Sequence, residues 1–248
     1  MYLKTEGLVL RETDFKEADK LLTVLTKDRG QLTLRARGVR SRSSKLKVGC
    51  QLLAFSEFTV FENRGYMSVD EAVPIELFMP LREDIELLSL ASYFAQVAQA
   101  LSQEDEPDPA LLSLVLNSLY ALSERRYPPL QIKGTFELRA ACIAGYAPML
   151  ECCAVCGAPD PNRFHLSEGS VYCSGCAGNG DLGIRMPVSP GVLAAMRYIT
   201  SCDRRKLFSF RLSEEGQAKL SEIAESYLLT QLERGFFTLE FYKSLRMT

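Results

Sequence analysis

Two cysteine pairs, Cys153-x2-Cys156 and Cys173-x2-Cys176, stand sixteen residues apart in "CCAVCGAPDPNRFHLSEGSVYCSGCAG". A CxxC turn brings two thiolates within reach of one ion. Two such turns joined by a hairpin supply the tetrahedral shell of four sulfurs that Zn2+ accepts. The expected ligands are therefore Cys153, Cys156, Cys173 and Cys176, around one zinc. Four sulfurs leave no position for a reacting water, so that zinc is expected to be structural. Cys152 offers an alternative x3 spacing to Cys156. "RFHLSEGSVY" is the expected hairpin, turning at Glu168-Gly169 or Gly169-Ser170, with His165 at the surface or behind the ligands. Cys50, Cys142 and Cys202 stand apart, as small buried hydrophobes do.

A second chemistry lies in "RARGVRSRSSKLKVG". From Arg29 to Ser56 there is no acidic residue, while seven basic ones occur. Arg35, Arg37, Arg40, Arg42, Lys45 and Lys47 form the candidate nucleic-acid surface. Arginines match phosphate geometry, and neutralising phosphates releases counterions. Strand alternation predicts that Arg35 and Arg37 share a face, and the serines between Gly38 and Gly49 predict a mobile loop. Phe55, Phe58, Phe61 and Tyr66 are assigned to the core rather than to base stacking.

Other chemistries lack their residues. No GxxxxGK[ST], GxGxxG after a strand, or GxSxG is present. One histidine in the chain excludes a two-histidine metal site and disfavours a triad. The expectation is a binding protein, not an enzyme. At 248 residues, 47% apolar and 24% charged, the chain has the composition of a globular protein of two or three modules. No apolar run is long enough to span a membrane, and the N-terminus carries no signal-peptide core, so a cytoplasmic location is expected. In that reducing compartment clustered cysteines are ligands rather than disulfides.

The elements that must position these groups differ along the chain. Five short runs in residues 1–80 ("KTEGLVLRET", "KLLTVLTK", "GQLTLRARGV", "QLLAFSEFTVFE", "GYMSVDEAVP") predict strands that suit an OB-fold or an SH3-like barrel. Beyond residue 80 the apolar spacing becomes helical. Helices are predicted after the acids Glu83, Asp84 and Glu86, after Asp108-Pro109, from Pro128-Pro129 to about Gly145, after Ser189-Pro190, and after Ser213. The expected division is a barrel at 1–80, one helical bundle at 81–150 and 184–248, and a zinc-binding insertion at 151–183.

In that order, "EGLVLRETDFKEADKLLTVLTKDRGQLTLRARGVR", "FELRAACIAGYAPMLECCAVCG" and "GSVYCSGCA" resemble the RecO family of bacterial recombination mediators over essentially the whole chain. The resemblance implies an α+β multidomain protein, with an N-terminal OB-fold barrel followed by a helical domain carrying the four-cysteine zinc hairpin. It implies binding of single- and double-stranded DNA, annealing of complementary strands, and work with RecR in loading RecA onto strands coated by single-stranded DNA-binding protein. The family engages the acidic C-terminal tail of that protein, which Arg125, Arg126 and Arg139 are expected to meet here. A nucleoid-associated location goes with these roles. The competing reading is an RNA-binding or translation-associated barrel with a zinc ribbon.

Overall fold

The computed structural model describes residues 1–63, 65–177 and 183–246. Strands come first: β1 (Tyr2–Phe15), β2 (Asp19–Thr26), β3 (Gln31–Ala36), β4 (Phe55–Asn63) and β5 (Tyr66–Glu76). Helices α1 (Met79–Arg82), α2 (Ile85–Leu101), α3 (Pro109–Ser123) and α4 (Pro129–Ile143) follow. Three short strands, β6 (Arg163–His165), β7 (Ser170–Tyr172) and β8 (Arg185–Pro187), precede α5 (Pro190–Ser201), α6 (Glu214–Leu232) and α7 (Phe237–Leu245).

The first five strands close into a barrel in the order β1-β2-β3-β5-β4. All neighbours are antiparallel except β3 and β5, which meet in parallel at the single pair Arg35 and Ser68. This is the five-stranded, barely closed barrel of the OB type. The long β1 serves two neighbours. A register shift between Val9 and Arg11 bends it from its pairing with β4 to its pairing with β2. Alternation decides the faces: Leu22, Val24, Leu32, Leu34, Phe58, Val60 and Val69 point inward and are buried.

The capping residues behave as their types require. Asp84 accepts from the backbone N–H groups of Glu86 and Leu87, and Asp108 accepts from Leu111 at 2.9 Å behind Pro109 at the first helical position. Ser189 and Ser213 accept from Val192 and Gly216 in the same way. Such a cap contributes about 1 kcal/mol.

By contact the chain forms two compact units, residues 1–124 with 236–248, and residues 125–235. In the first unit α2 packs on β1, α3 on α2, and α7 returns from the far end of the chain to lie along α2. Tyr93 of α2 meets Phe236 edge-on at 5.7 Å. The expected boundary at 80 followed the change from strand to helix and those at 151 and 184 enclosed the cysteine segment, whereas these units follow packing. The buried face of α2, including Leu87, Leu90, Ala91, Phe94 and Ala98, needs a partner of its own.

The second unit is built on the crossing of α4 and α6. Gly134 permits it, because a Cβ there would sit 3.0 Å from the Ser221 backbone. Beside that contact Lys133, almost fully buried, donates to Glu137 and Glu225, both at 2.7 Å. Among the described residues no helix is long and apolar enough to cross a membrane.

Candidate metal centre and nucleic-acid interface

The hairpin forms where expected. β6 and β7 pair from Arg163–Tyr172 to His165–Ser170, and residues 166–169 make the turn. Gly169 turns with φ of 63° and lies close against the Tyr227 hydroxyl of α6. β8 adds a third strand, and the sheet is bound to α6 by more than apolar contact. Phe164 meets the Tyr227 ring at 5.1 Å, and Gln231 donates to the carbonyls of Leu166 and Ser167. Arg197 of α5 donates to the carbonyls of Leu150 and Glu151, holding the approach to the first knuckle.

This architecture brings the sulfurs of Cys153, Cys156, Cys173 and Cys176 within 4.8 Å of one another. The two knuckles meet at Cys156 and Cys173, whose sulfurs are 3.7 Å apart. A tetrahedral ion with sulfur bonds of about 2.3 Å requires edges of roughly 3.8 Å, so the residues fit a metal. Backbone N–H groups of Cys156 and Cys173 pull the Cys153 thiol down to about 6. The sulfurs of Cys156 and Cys173, with burial, push Cys176 up to about 12. A cation bound among the four sulfurs would favour their thiolate forms.

Cys152, which offered the alternative x3 spacing, is exposed and is not among the four clustered sulfurs. Of the two placements expected for His165, the surface one is excluded. The residue is 1% exposed, its Nδ1 accepting from the Glu168 N–H at 3.2 Å. The hairpin presses on α6, and His165 is enclosed with it. Cys50 is buried as expected, and burial pushes its thiol up to about 12.

The basic segment sits on the barrel rim. β3 ends at Ala36, so Arg37 lies in the following turn and not on the strand face of Arg35. Arg35 directs Nε and Nη2 at Asp19 Oδ2, at 2.9 and 2.6 Å, and stacks over Phe15. The other Asp19 oxygen accepts the Gly38 N–H at 2.8 Å. Residues 37–50 are not a free loop but a chain of turns. Val39, Leu46 and Cys50 pin them to the barrel core, with Arg40 N–H donating to the Ala18 carbonyl and Cys50 N–H to that of Leu46. Arg40 pairs with Asp14 at 3.4 Å. Arg37, Arg42, Lys45 and Lys47 are exposed, with no ion pair or side-chain hydrogen bond among the described residues.

Two family models divide the chain. "Recombination protein O N terminal" matches residues 1–78, and "Recombination protein O C terminal" matches residues 82–240. The chain belongs to the RecO family. It is 36% identical over 246 residues to the DNA repair protein RecO of Acetivibrio thermocellus, covering 98% of this chain and 97% of the relative. It is 29% identical to RecO of Alkaliphilus metalliredigens, with 99% and 100% covered. Against RecO of Symbiobacterium thermophilum it is 30% identical, with 97% and 96% covered. RecO relatives are named for DNA repair, and the OB-type barrel and cysteine cluster found here stand in that setting.

Several features of this RecO chain escape the sequence. Arg139, expected to face an acidic tail, donates instead to the carbonyls of Ile199, Thr200 and Cys202, closing the C-terminal end of α5. Phe58 is core as expected. Phe61 and Tyr66 point outward, 37% and 81% exposed. The inward run Ser56, Phe58, Val60 carried the signal that sets Phe61 on the opposite face.

Proposed function

We propose that this protein binds single- and double-stranded DNA through the barrel rim and works as a recombination mediator. The supporting observation is the set of exposed cations, Arg37, Arg42, Lys45 and Lys47, on turns pinned to the barrel. A pinned surface loses less conformational freedom on binding than a mobile loop. Cations that neutralise phosphates on two strands lower the repulsion between them, which is what annealing requires. In this reading the protein anneals complementary strands coated with single-stranded DNA-binding protein and acts with RecR to load RecA. Its part is to bind and exchange partners, without catalysis.

For the acidic tail, the second unit offers a cleft of about 470 Å3 lined by Arg126, Tyr127, Pro128, Gln131, Phe210 and Arg211. It joins guanidinium groups to aromatic walls, which suits a segment both acidic and apolar. The ion in the cysteine cluster is zinc in this proposal. It ties the two knuckles at one end of the hairpin whose other contacts bind α6, so its contribution is to stability.

Annealing tests the function. Complementary DNA oligonucleotides should pair faster with the protein present, and RNA of the same sequence should gain less. Equal or greater effect on RNA would favour the competing reading.

A further inference from the structure

The strand register aligns four residues in one row across the outside of the barrel. Arg35 of β3 is opposite Ser68 of β5, Ser68 is opposite Phe61 of β4, and Phe61 is opposite Tyr2 of β1. Partners in register share a face. Inward neighbours of the row, among them Leu34, Val60 and Val69, are buried, so this face is the outer one. Tyr2 and Phe61 are 62% and 37% exposed, with ring centroids 5.1 Å apart. Tyr66, at 81%, lies on the same face one step along, opposite Asn63.

Such exposure is costly. Three aromatic rings gathered on one face of a barrel would be better in the core unless something flat covers them. The outward positions beside them include Thr33, Asn63 and Ser68, while acids flank the row farther out: Glu57 pairs with Lys4, Glu71 is opposite Thr59, and Asp19 pairs with Arg35. The row ends at Arg35, whose Asp19 contact also anchors the start of the basic turns. A polyanion lying on those turns would meet the aromatic row next.

We infer that Tyr2, Phe61 and Tyr66 form a base-stacking platform for single-stranded nucleic acid, continuous with the basic rim. The inference rests on the DNA-binding reading above and extends it. Strands in a sheet are about 4.8 Å apart, so the row from Arg35 to Tyr2 spans roughly 14 Å, the reach of two or three nucleotides. Phosphates on the rim supply salt-dependent affinity, and stacking on the platform supplies affinity that depends on bases and little on salt. A duplex hides its base faces, so the platform favours single strands and holds them with their bases splayed for pairing.

The chain contains no tryptophan. Phe61→Trp therefore places a single indole reporter in the row. An oligothymidylate is the probe, with an abasic phosphodiester chain of equal length as its control. The thymidylate should quench the indole and the abasic chain should not. Wild-type protein should bind the thymidylate about tenfold more tightly than the abasic chain. Tyr2→Ala with Phe61→Ala and Tyr66→Ala should bring that ratio near one while leaving the salt slope unchanged. Tyr2→Phe with Tyr66→Phe should keep it. Wild-type protein that binds both chains equally, with a clear salt slope, would overturn the platform and leave the DNA-binding reading intact. Binding of neither chain would overturn both. If the triple alanine variant keeps the base preference but loses RecR, the face is a protein interface and the inference fails.

Discussion

Asp19 and Arg35 form the joint on which the basic surface turns. One carboxylate oxygen takes both Nε and Nη2 of the arginine, while the other takes the Gly38 N–H. The most basic stretch of the chain thus spends its first arginine on architecture. The exposed cations beyond it are presented because that arginine is not.

Removing the anchor should loosen the turns without unfolding the barrel. Asp19→Ala is expected to make residues 37–47 more susceptible to trypsin while the melting transition shifts modestly. The pH dependence has a defined sign. The Gly38 N–H and then Arg35 hold the Asp19 carboxyl below its ordinary 3.8. Its contribution is therefore present above 3.8 and lost as pH falls through the lower folded value. The gap in melting temperature between wild type and Asp19→Ala should close on acidification below that point.

The α4–α6 crossing makes a second prediction. Lys133→Met leaves Glu137 buried without its cation and should cost about 3–5 kcal/mol, measured by denaturant unfolding. Replacing Lys133, Glu137 and Glu225 together by apolar residues should cost much less. Although burial itself opposes the charge, Glu137 and Glu225 raise the lysine above its ordinary 10.5. The pairing is thus fully present below that value and lost as pH rises through the folded one. The penalty of Lys133→Met should hold through neutral pH and shrink only in strong alkali.

The cysteine cluster should separate stability from function. Cys156→Ser is expected to lower bound zinc and melting temperature together, by about 2–4 °C for each kcal/mol lost. Cys152→Ser should change neither. Annealing should persist in Cys156→Ser at any temperature where the fold persists. Loss of annealing in a folded, zinc-free protein would contradict a purely stabilising ion.

Electrostatics on the rim can be counted. Each phosphate neutralised on a single strand contributes about −0.7 to the slope of log affinity against log salt. Replacing Arg37, Arg42, Lys45 and Lys47 by alanine should therefore flatten that slope by up to about 2.8. Arg35→Ala should act differently, raising trypsin sensitivity of the turns as Asp19→Ala does.

What the sequence disclosed was whatever has a local cause. Alternation with glycine punctuation marked the five barrel strands, Asp108-Pro109 and Ser189-Pro190 marked helix starts, and x2 spacing marked the four clustered cysteines. Features decided by distant packing stayed hidden. The helix from Phe237 was not anticipated, and its partner α2 lies more than a hundred residues earlier. Lys133 and Glu137 look like an ordinary solvent-facing i,i+4 pair until α6 covers them. Arg139 looks like a free surface cation until the end of α5 is placed beside it. Asp19 gives no local sign that it will claim Arg35, because the two meet only when β2 and β3 are in register.

The central claim is that the rim cations make this chain a DNA-annealing mediator. The most direct test is annealing of complementary oligonucleotides coated with single-stranded DNA-binding protein, with and without its acidic tail. The wild-type chain is compared with the variant in which Arg37, Arg42, Lys45 and Lys47 are alanine, both folded and zinc-loaded. The account predicts annealing that needs the tail on coated strands and falls at least tenfold in the variant. Equal annealing by both proteins, or none by either, would contradict it.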